Sequence, residues 1–123
     1  MFDHVGVNVR DYATSRAFYE RALAPLGYRV VMAFDEWKAA GLGAADAPEL
    51  WISQREPYGT GTHLAFRCDD RAAVVAFHEA ALDAGGLDNG APGIREHYHP
   101  DYYAAFVHDL DGNNVEAVCH APG

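Results

Sequence analysis

HVGVNVRDYATSRAFYERALAPLG (residues 4–27) and HLAFRCDDRAAVVAFHEAALDAGG (residues 63–86) can be laid over each other without a gap. Nine of the 24 columns are identical: His4/His63, Asp11/Asp70, Ala13/Ala72, Ala17/Ala76, Phe18/Phe77, Glu20/Glu79, Ala22/Ala81, Leu23/Leu82 and Gly27/Gly86. Average residue usage gives about two by chance, so the chain carries an internal repeat, which has to be recognised before any fold is assigned. The physical pattern repeats along with the letters. Each segment alternates apolar residues after its His, reaches an Asp, runs at helical spacing and stops at Gly. The alternation predicts a strand with two unlike faces. Val5, Val7 and Val9 oppose His4, Gly6 and Asn8; Leu64, Phe66 and Cys68 oppose His63, Ala65 and Arg67. Asp11 and Asp70 are the N-caps expected for the following helices. Their apolar stripes are read as Ala17, Phe18, Arg21 and Ala22, then Ala73, Phe77, Ala80 and Ala81. Gly27 and Gly85-Gly86 end them, because glycine accepts the left-handed cap conformation.

Three short strands should follow each helix. In the first half they are read at Tyr28–Phe34, Glu36–Gly41 and Glu49–Ser53, with turns at Asp35 and in the Gly43–Pro48 loop. In the second half they are read at Gly93–His97, Tyr102–His108 and Asn114–His120. The turns there are His99-Pro100-Asp101 and Asp109–Asn113. Arg55–Gly61 joins the halves. The expectation is an α+β fold in which two tandem βαβββ modules form a cleft of curved sheets. One domain spans residues 1–123, made of modules 1–55 and 60–120.

The formal charge of −9 and pI near 5.0 speak against nucleic acid and anionic membrane as partners, since phosphate binding needs clustered Lys and Arg. No run approaches the roughly 20 apolar residues of a membrane span. The opening MFDHVGVNVRD lacks the basic and apolar regions of a secretory signal. Cys68 and Cys119 lack zinc-ribbon spacing and are expected as small buried residues in a reducing compartment, the cytoplasm.

Two histidines at equivalent places of a repeat point to more than surface decoration. Pseudo-symmetry relates their strands, so both imidazoles are expected to converge, as a metal site requires. Glu116 is a carboxylate amid Val115, Ala117 and Val118. Burying it unpaired costs several kcal/mol, so a partner is expected, and a cation would serve.

HVGVNVRDYATSRAFYERALAPLGYRV and HDLDGNNVEAV resemble the vicinal oxygen chelate superfamily, which includes glyoxalase I, extradiol dioxygenases, fosfomycin-resistance thiol transferases and bleomycin-binding proteins. Five features fall in the family's order: a strand His, the SRAFYERAL helix, the glycine, a second strand His, and an acid after a DxDGN turn. The usual DPDGN is DLDGN here. The resemblance implies paired βαβββ modules, commonly in homodimers, and one divalent metal ion (Zn, Ni, Mn or Fe(II)) on His4, His63 and Glu116. It also raises Glu49, in PELWIS, as a fourth ligand of the glyoxalase I kind, although fosfomycin-resistance relatives carry a Trp near this place. Trp51 shares the face of Glu49 and is expected in the cleft wall.

Of the polar aromatics in GIREHYHPDYYAAF, Tyr102, Ala104 and Phe106 should face the cleft. Tyr102 is read as a catalytic proton or hydrogen-bond donor beside Glu116. His97 is a substrate-binding candidate able to act as acid or base, and Arg67 a candidate for neutralising an anionic substrate. Phe106 completes the substrate wall, and His78, His108 and His120 are read as surface residues. The function expected is a metal-dependent enzyme acting on a small oxygenated substrate. Lyase or isomerase chemistry by Lewis-acid action is favoured over dioxygenase or thiol-transferase chemistry. The alternative is a non-catalytic small-molecule or antibiotic-binding protein of the bleomycin-resistance kind.

Overall fold

The computed structural model describes residues 1–123. Strands β1 (Val5–Val9), β2 (Arg29–Phe34), β3 (Ala39–Gly43) and β4 (Leu50–Gln54) form one sheet in the order β1-β4-β3-β2. Strands β5 (His63–Cys68), β6 (Leu87–Ile94), β7 (Tyr103–His108) and β8 (Asn114–Cys119) form the other in the order β5-β8-β7-β6. In both, the first strand runs parallel to the last and the remaining pairs are antiparallel. The architecture is α+β, with helix α1 (Tyr12–Leu23) serving the first sheet and α2 (Arg71–Asp83) the second.

The helices begin where the sequence places them. Asp11 accepts from the Thr14 amide at 3.0 Å and Asp70 from the Ala73 amide at 2.8 Å, each satisfying an otherwise orphaned donor. Gly27 and Gly85 leave the helical regions at φ 83° and 105°. The buried stripes differ from the sequence reading. In α1 they are Ser15, Phe18, Tyr19, Ala22 and Leu23, while Ala17 and Arg21 are exposed. In α2 they are Val74, Phe77 and Ala81. Helical periodicity allows several neighbouring stripes in an alanine-rich helix, and the packing partner selects among them.

Two strands also depart from expectation. Asp35–Trp37 forms a single 3₁₀ turn closed by Lys38 at φ 52°, so β3 starts at Ala39. β6 begins at Leu87 instead of Gly93 and does not reach His97. Its sequence LDNGAPGI has weak strand propensity, yet its edge position tolerates Pro92 and two register shifts against β7.

α1 packs directly against α2, and one 18-residue core takes side chains from both modules. Val7, Val9, Leu50 and Ile52 enter it from the first sheet; Cys68, Val107, Val115, Ala117 and Cys119 enter from the second. No strand pairing joins the sheets. Each therefore keeps an open face outside this core, and β1 and β5 remain free edges.

The DLDGN turn clasps the first module. Asp109, 4% exposed, accepts from Tyr19 Oη at 2.5 Å, from the amides of Asp111 and Asn113, and from Asn113 Nδ2. Burial and the Asp109 carboxylate push the Tyr19 hydroxyl well up, so it stays a donor. Tyr19→Phe removes a hydrogen bond to a buried carboxylate, an interaction worth about 1.5–3 kcal/mol. Its urea midpoint should fall at unchanged m-value; an unmoved midpoint would show that the clasp carries no stability.

Cys68 and Cys119 are paired across β5 and β8 and are both free thiols. Burial, then Cys119, pushes the Cys68 thiol up to about 11. Neither should react with a disulfide reagent at pH 8 until denaturant is added; rapid labelling of the native chain would contradict this burial.

Candidate functional site

The open face of the second sheet can be read from its register. Ala65, Glu116 and Phe106 lie side by side on β5, β8 and β7, with Gly90 beyond them on β6. Alternation adds Val118 on β8, and Tyr102 and Ala104 on the chain leading through β7. The odd-numbered neighbours Val115, Ala117 and Cys119 point the other way, into the core.

Glu116 is the centre of this face. It is 1% exposed, and its two oxygens are held by different residues. Oε1 lies 2.9 Å from His63 Nε2, and Oε2 accepts from the Tyr102 hydroxyl. No arginine or lysine forms an ion pair with it. His63 is half-exposed, so the pair is reachable from solvent. Burial, and next the bond to Glu116, raise the Tyr102 hydroxyl well above its ordinary range, which leaves it protonated. The Phe106 ring centroid lies 6.4 Å from that of His63. The structure thus brings Glu116, Tyr102, His63 and Phe106 together.

His4 stands elsewhere. It precedes β1, is half-exposed, and pairs with Asp3 at 2.6 Å. No three His, Cys, Asp or Glu side chains gather in one chain at metal-ligand spacing. The expected convergence of both imidazoles therefore does not occur within a single chain. Packing α1 on α2 is the physical reason, because it turns both helix-bearing faces inward and leaves the open faces outside the shared core.

The same register settles the counterpart of Glu116 in the first module. Trp51 pairs with Gly6 as Glu116 pairs with Ala65, so Trp51 occupies the matching place. Glu49 sits one pair short of the strand, where Val5 N bonds its carbonyl, and matches Asn114 instead. Its carboxylate acts on Tyr28, whose hydroxyl is pushed up to about 12, first by burial and then by Glu49. Trp51 stacks on Phe34 at 6.1 Å and 12°, and Phe34 meets Trp37 at 5.2 Å with the rings tilted by 32°. Gly41 makes room for Pro48 and the indole, since a Cβ there would stand 2.6 Å from Pro48 Cβ and 3.2 Å from Trp51.

His97 and Arg67 are less central than expected. His97 is exposed in a turn, its ring tilted against Tyr98 at 4.1 Å, and Tyr98 separates it from Tyr102. Arg67 is exposed beside Pro25, Leu26, Asp69 and Asp70.

Three residues near the site were missed. Arg95 lies with its Cζ 5.3 Å from the Phe106 ring. His99 Nε2 and His120 Nδ1 are 2.6 Å apart, and both rings stand edge-on to Tyr102. The Asp101 amide donates to His99 Nδ1, so neutral His99 carries its proton on Nε2 and gives it to His120. His120 is thus a surface residue with a partner. His78 is not a surface residue: it is 12% exposed and pairs with Asp88 at 3.0 Å. Only alternation from Glu116 could have put His120 on the open face.

Solved structures with this fold bear on the site. A glyoxalase/bleomycin resistance protein from Albidiferax ferrireducens T118 is 30% identical, with a TM-score of 0.82 over 99% of each chain. A family enzyme from Burkholderia phytofirmans PsJN is 20% identical, with a TM-score of 0.71 over 96% of this chain and 97% of its own. The fosfomycin resistance protein FosX from Mesorhizobium loti is 20% identical, with a TM-score of 0.70 over 98% and 92%. At these identities the last two show the fold alone. No curated protein matches the chain. The sequence profile of one family covers residues 1–117, and on that match and the Albidiferax likeness the chain belongs to the Glyoxalase/Bleomycin resistance protein/Dioxygenase superfamily.

Proposed function

We propose that this protein is a divalent-metal-dependent enzyme acting on a small molecule with two neighbouring oxygens, and that its site is completed by a second copy of the chain. The observation that carries this reading is Glu116. It is a buried carboxylate bonded by an imidazole and a phenol, with no cationic side chain against it. Such a group costs several kcal/mol to bury unless a cation relieves it.

The donor set fits a metal. An imidazole nitrogen and a carboxylate oxygen suit Zn, Ni, Mn or Fe(II). Two donors at about 2.0–2.2 Å from one ion and at right angles lie about 3 Å apart, which agrees with 2.9 Å between His63 and Glu116. His4 of a second chain is the third ligand in this proposal, since His4 cannot join the pair within its own chain. The free edges β1 and β5 and the open faces supply surface for a homodimer.

When bound, the metal supplies Lewis-acid polarisation of the substrate's adjacent oxygens, which favours lyase or isomerase chemistry. The chain's own residues do the rest. Half-exposed His63 gives solvent a route to the buried Glu116 carboxylate, and Phe106 gives an apolar wall beside the imidazole. Tyr102 holds a proton at its hydroxyl and gives it as a hydrogen bond to Glu116 Oε2, which orients the carboxylate.

A second reading has its own observation. Trp51, Phe34 and Trp37 form an open aromatic stack at the place matching Glu116, and Trp37 is 70% exposed. A flat apolar molecule suits that stack, as in a binding protein without catalysis.

Metal titration of chelator-stripped protein separates the readings. Wild type should bind one ion per chain, and stability should rise by about 2.7 kcal/mol at a hundred-fold excess over Kd. His63→Ala and Glu116→Ala should lose the ion while keeping the circular dichroism of the fold. His4→Ala alone and Glu116→Ala alone should both be inactive in binding, but mixing the two and letting chains exchange should restore about a quarter of the sites, as random pairing of a dimer requires. Restoration of none, with light scattering giving a monomer, would end the shared-site proposal. Absence of metal binding in wild type would favour the binding-protein reading.

A further inference from the structure

Arg95 is held in a way that the fold alone does not need. Its Nη1 donates to the Gly93 carbonyl at 2.9 Å and its Nη2 to the Ala91 carbonyl at 2.9 Å. The guanidinium lies over the Phe106 ring, with Cζ 5.3 Å from the centroid. Two glycines clear its path. A Cβ on Gly90, which has φ +150°, would meet Phe106 at 2.9 Å and Arg95 Nη2 at 3.1 Å; one on Gly93 would meet Nη1 at 3.3 Å. The side chain is only partly exposed, so its rotamer is fixed before any ligand arrives.

That guanidinium has no carboxylate partner. The arginines in ion pairs are Arg16 and Arg29, in a chain with 18 acids and only nine bases. Two of its five N–H groups are committed to backbone carbonyls, which leaves three to donate. It also borders the site. Phe106 is shared by Arg95 and His63.

Resting on the reading given under Proposed function, we infer that Arg95 is the specificity-determining residue of the site and that it binds the carboxylate of a small 2-oxo or 2-hydroxy acid. A planar fork of N–H donors matches a carboxylate. Lys38, the chain's single lysine, lies between the first module's 3₁₀ turn and β3. With one guanidinium and no lysine beside it, the site suits a monoanion better than a phosphate dianion. The chain's net charge of −9 repels anions in general, so a fixed local cation is what would hold one here. Arg67, the arginine expected to do this from sequence, lies beside Asp69 and Asp70 and makes no hydrogen bond or ion pair with Glu116, His63 or Tyr102.

Protein-detected NMR titrations of the full chain test this, with lactate and pyruvate as probes and lactamide and pyruvamide as their neutral counterparts. Each is run on metal-free and on zinc-loaded protein. Wild type should bind each acid about ten-fold or more tightly than its amide, with the Arg95 Nε–H resonance moving during the titration. Arg95→Gln should erase that preference by weakening acid binding about ten-fold more than amide binding, and Arg95→Lys should keep part of it. Equal affinity for acid and amide in wild type, or no binding of either acid, overturns the inference without any variant having to fold. A parallel loss for acid and amide in Arg95→Gln assigns Arg95 a structural role and overturns it as well. Metal affinity, measured separately, keeps the two readings apart. A zinc-binding protein without acid preference refutes this inference alone. A protein that prefers acids through Arg95 but binds no metal refutes the metalloenzyme and leaves the anion site standing.

Discussion

The packing of α1 against α2 is the constraint from which the rest of this structure follows. Each βαβββ module buries one sheet face under its own helix, yet a module of this size closes too little apolar surface to be stable alone. Bringing the helices together pools both modules into one core containing Phe18, Tyr19, Val74 and Phe77. The same packing leaves both open faces and both first-strand edges outside that core. It thereby separates His4 from His63 within the chain, although the repeat makes them equivalent. The Tyr19–Asp109 bond adds a polar tie across the same junction and fixes the turn that leads into β8.

Glu116 shows how such a scaffold holds a reactive group. Its neighbours along β8 are valines and an alanine that enter the core or cover the sheet, so the backbone there is rigid. The carboxylate is nearly removed from solvent, but one oxygen meets a half-exposed imidazole. This combination gives a preorganised acceptor with a route to the outside, and it accounts for the pairing with Tyr102 on the remaining oxygen. The aromatic side chains of Tyr98, His99 and His120 pack around Tyr102 and restrict where its hydroxyl can aim.

Repetition of the scaffold has not meant repetition of the chemistry. Strand order and register recur in both halves, but the place held by Glu116 in the second is held by Trp51 in the first. One open face is therefore polar around a carboxylate and the other aromatic around an indole. A fold repeated twice can supply two kinds of surface, which is why membership of the superfamily does not by itself name a reaction.

Much of this was legible in the residues. The 24-column repeat, the aspartate caps and the glycine stops specify two βαβββ units, because local hydrogen bonding and side-chain periodicity act over a few residues. Alternation from Glu116 also placed Tyr102 and Phe106 on its face. The strand β6 was misplaced because LDNGAPGI carries no periodic signal, and its pairing is imposed by β7. His78 was taken for a surface residue, whereas its imidazole is 12% exposed and meets Asp88, ten residues away at the start of β6. Arg95 could not be found from sequence at all, since its position results from two glycines and a ring on another strand. By itself the sequence determined the helices, most of the strands, their repetition and the face on which Glu116 stands. Only the tertiary structure decided which ligand candidates meet, because relative placement of the two modules is set by helix packing between them, a contact that neither repeat encodes alone.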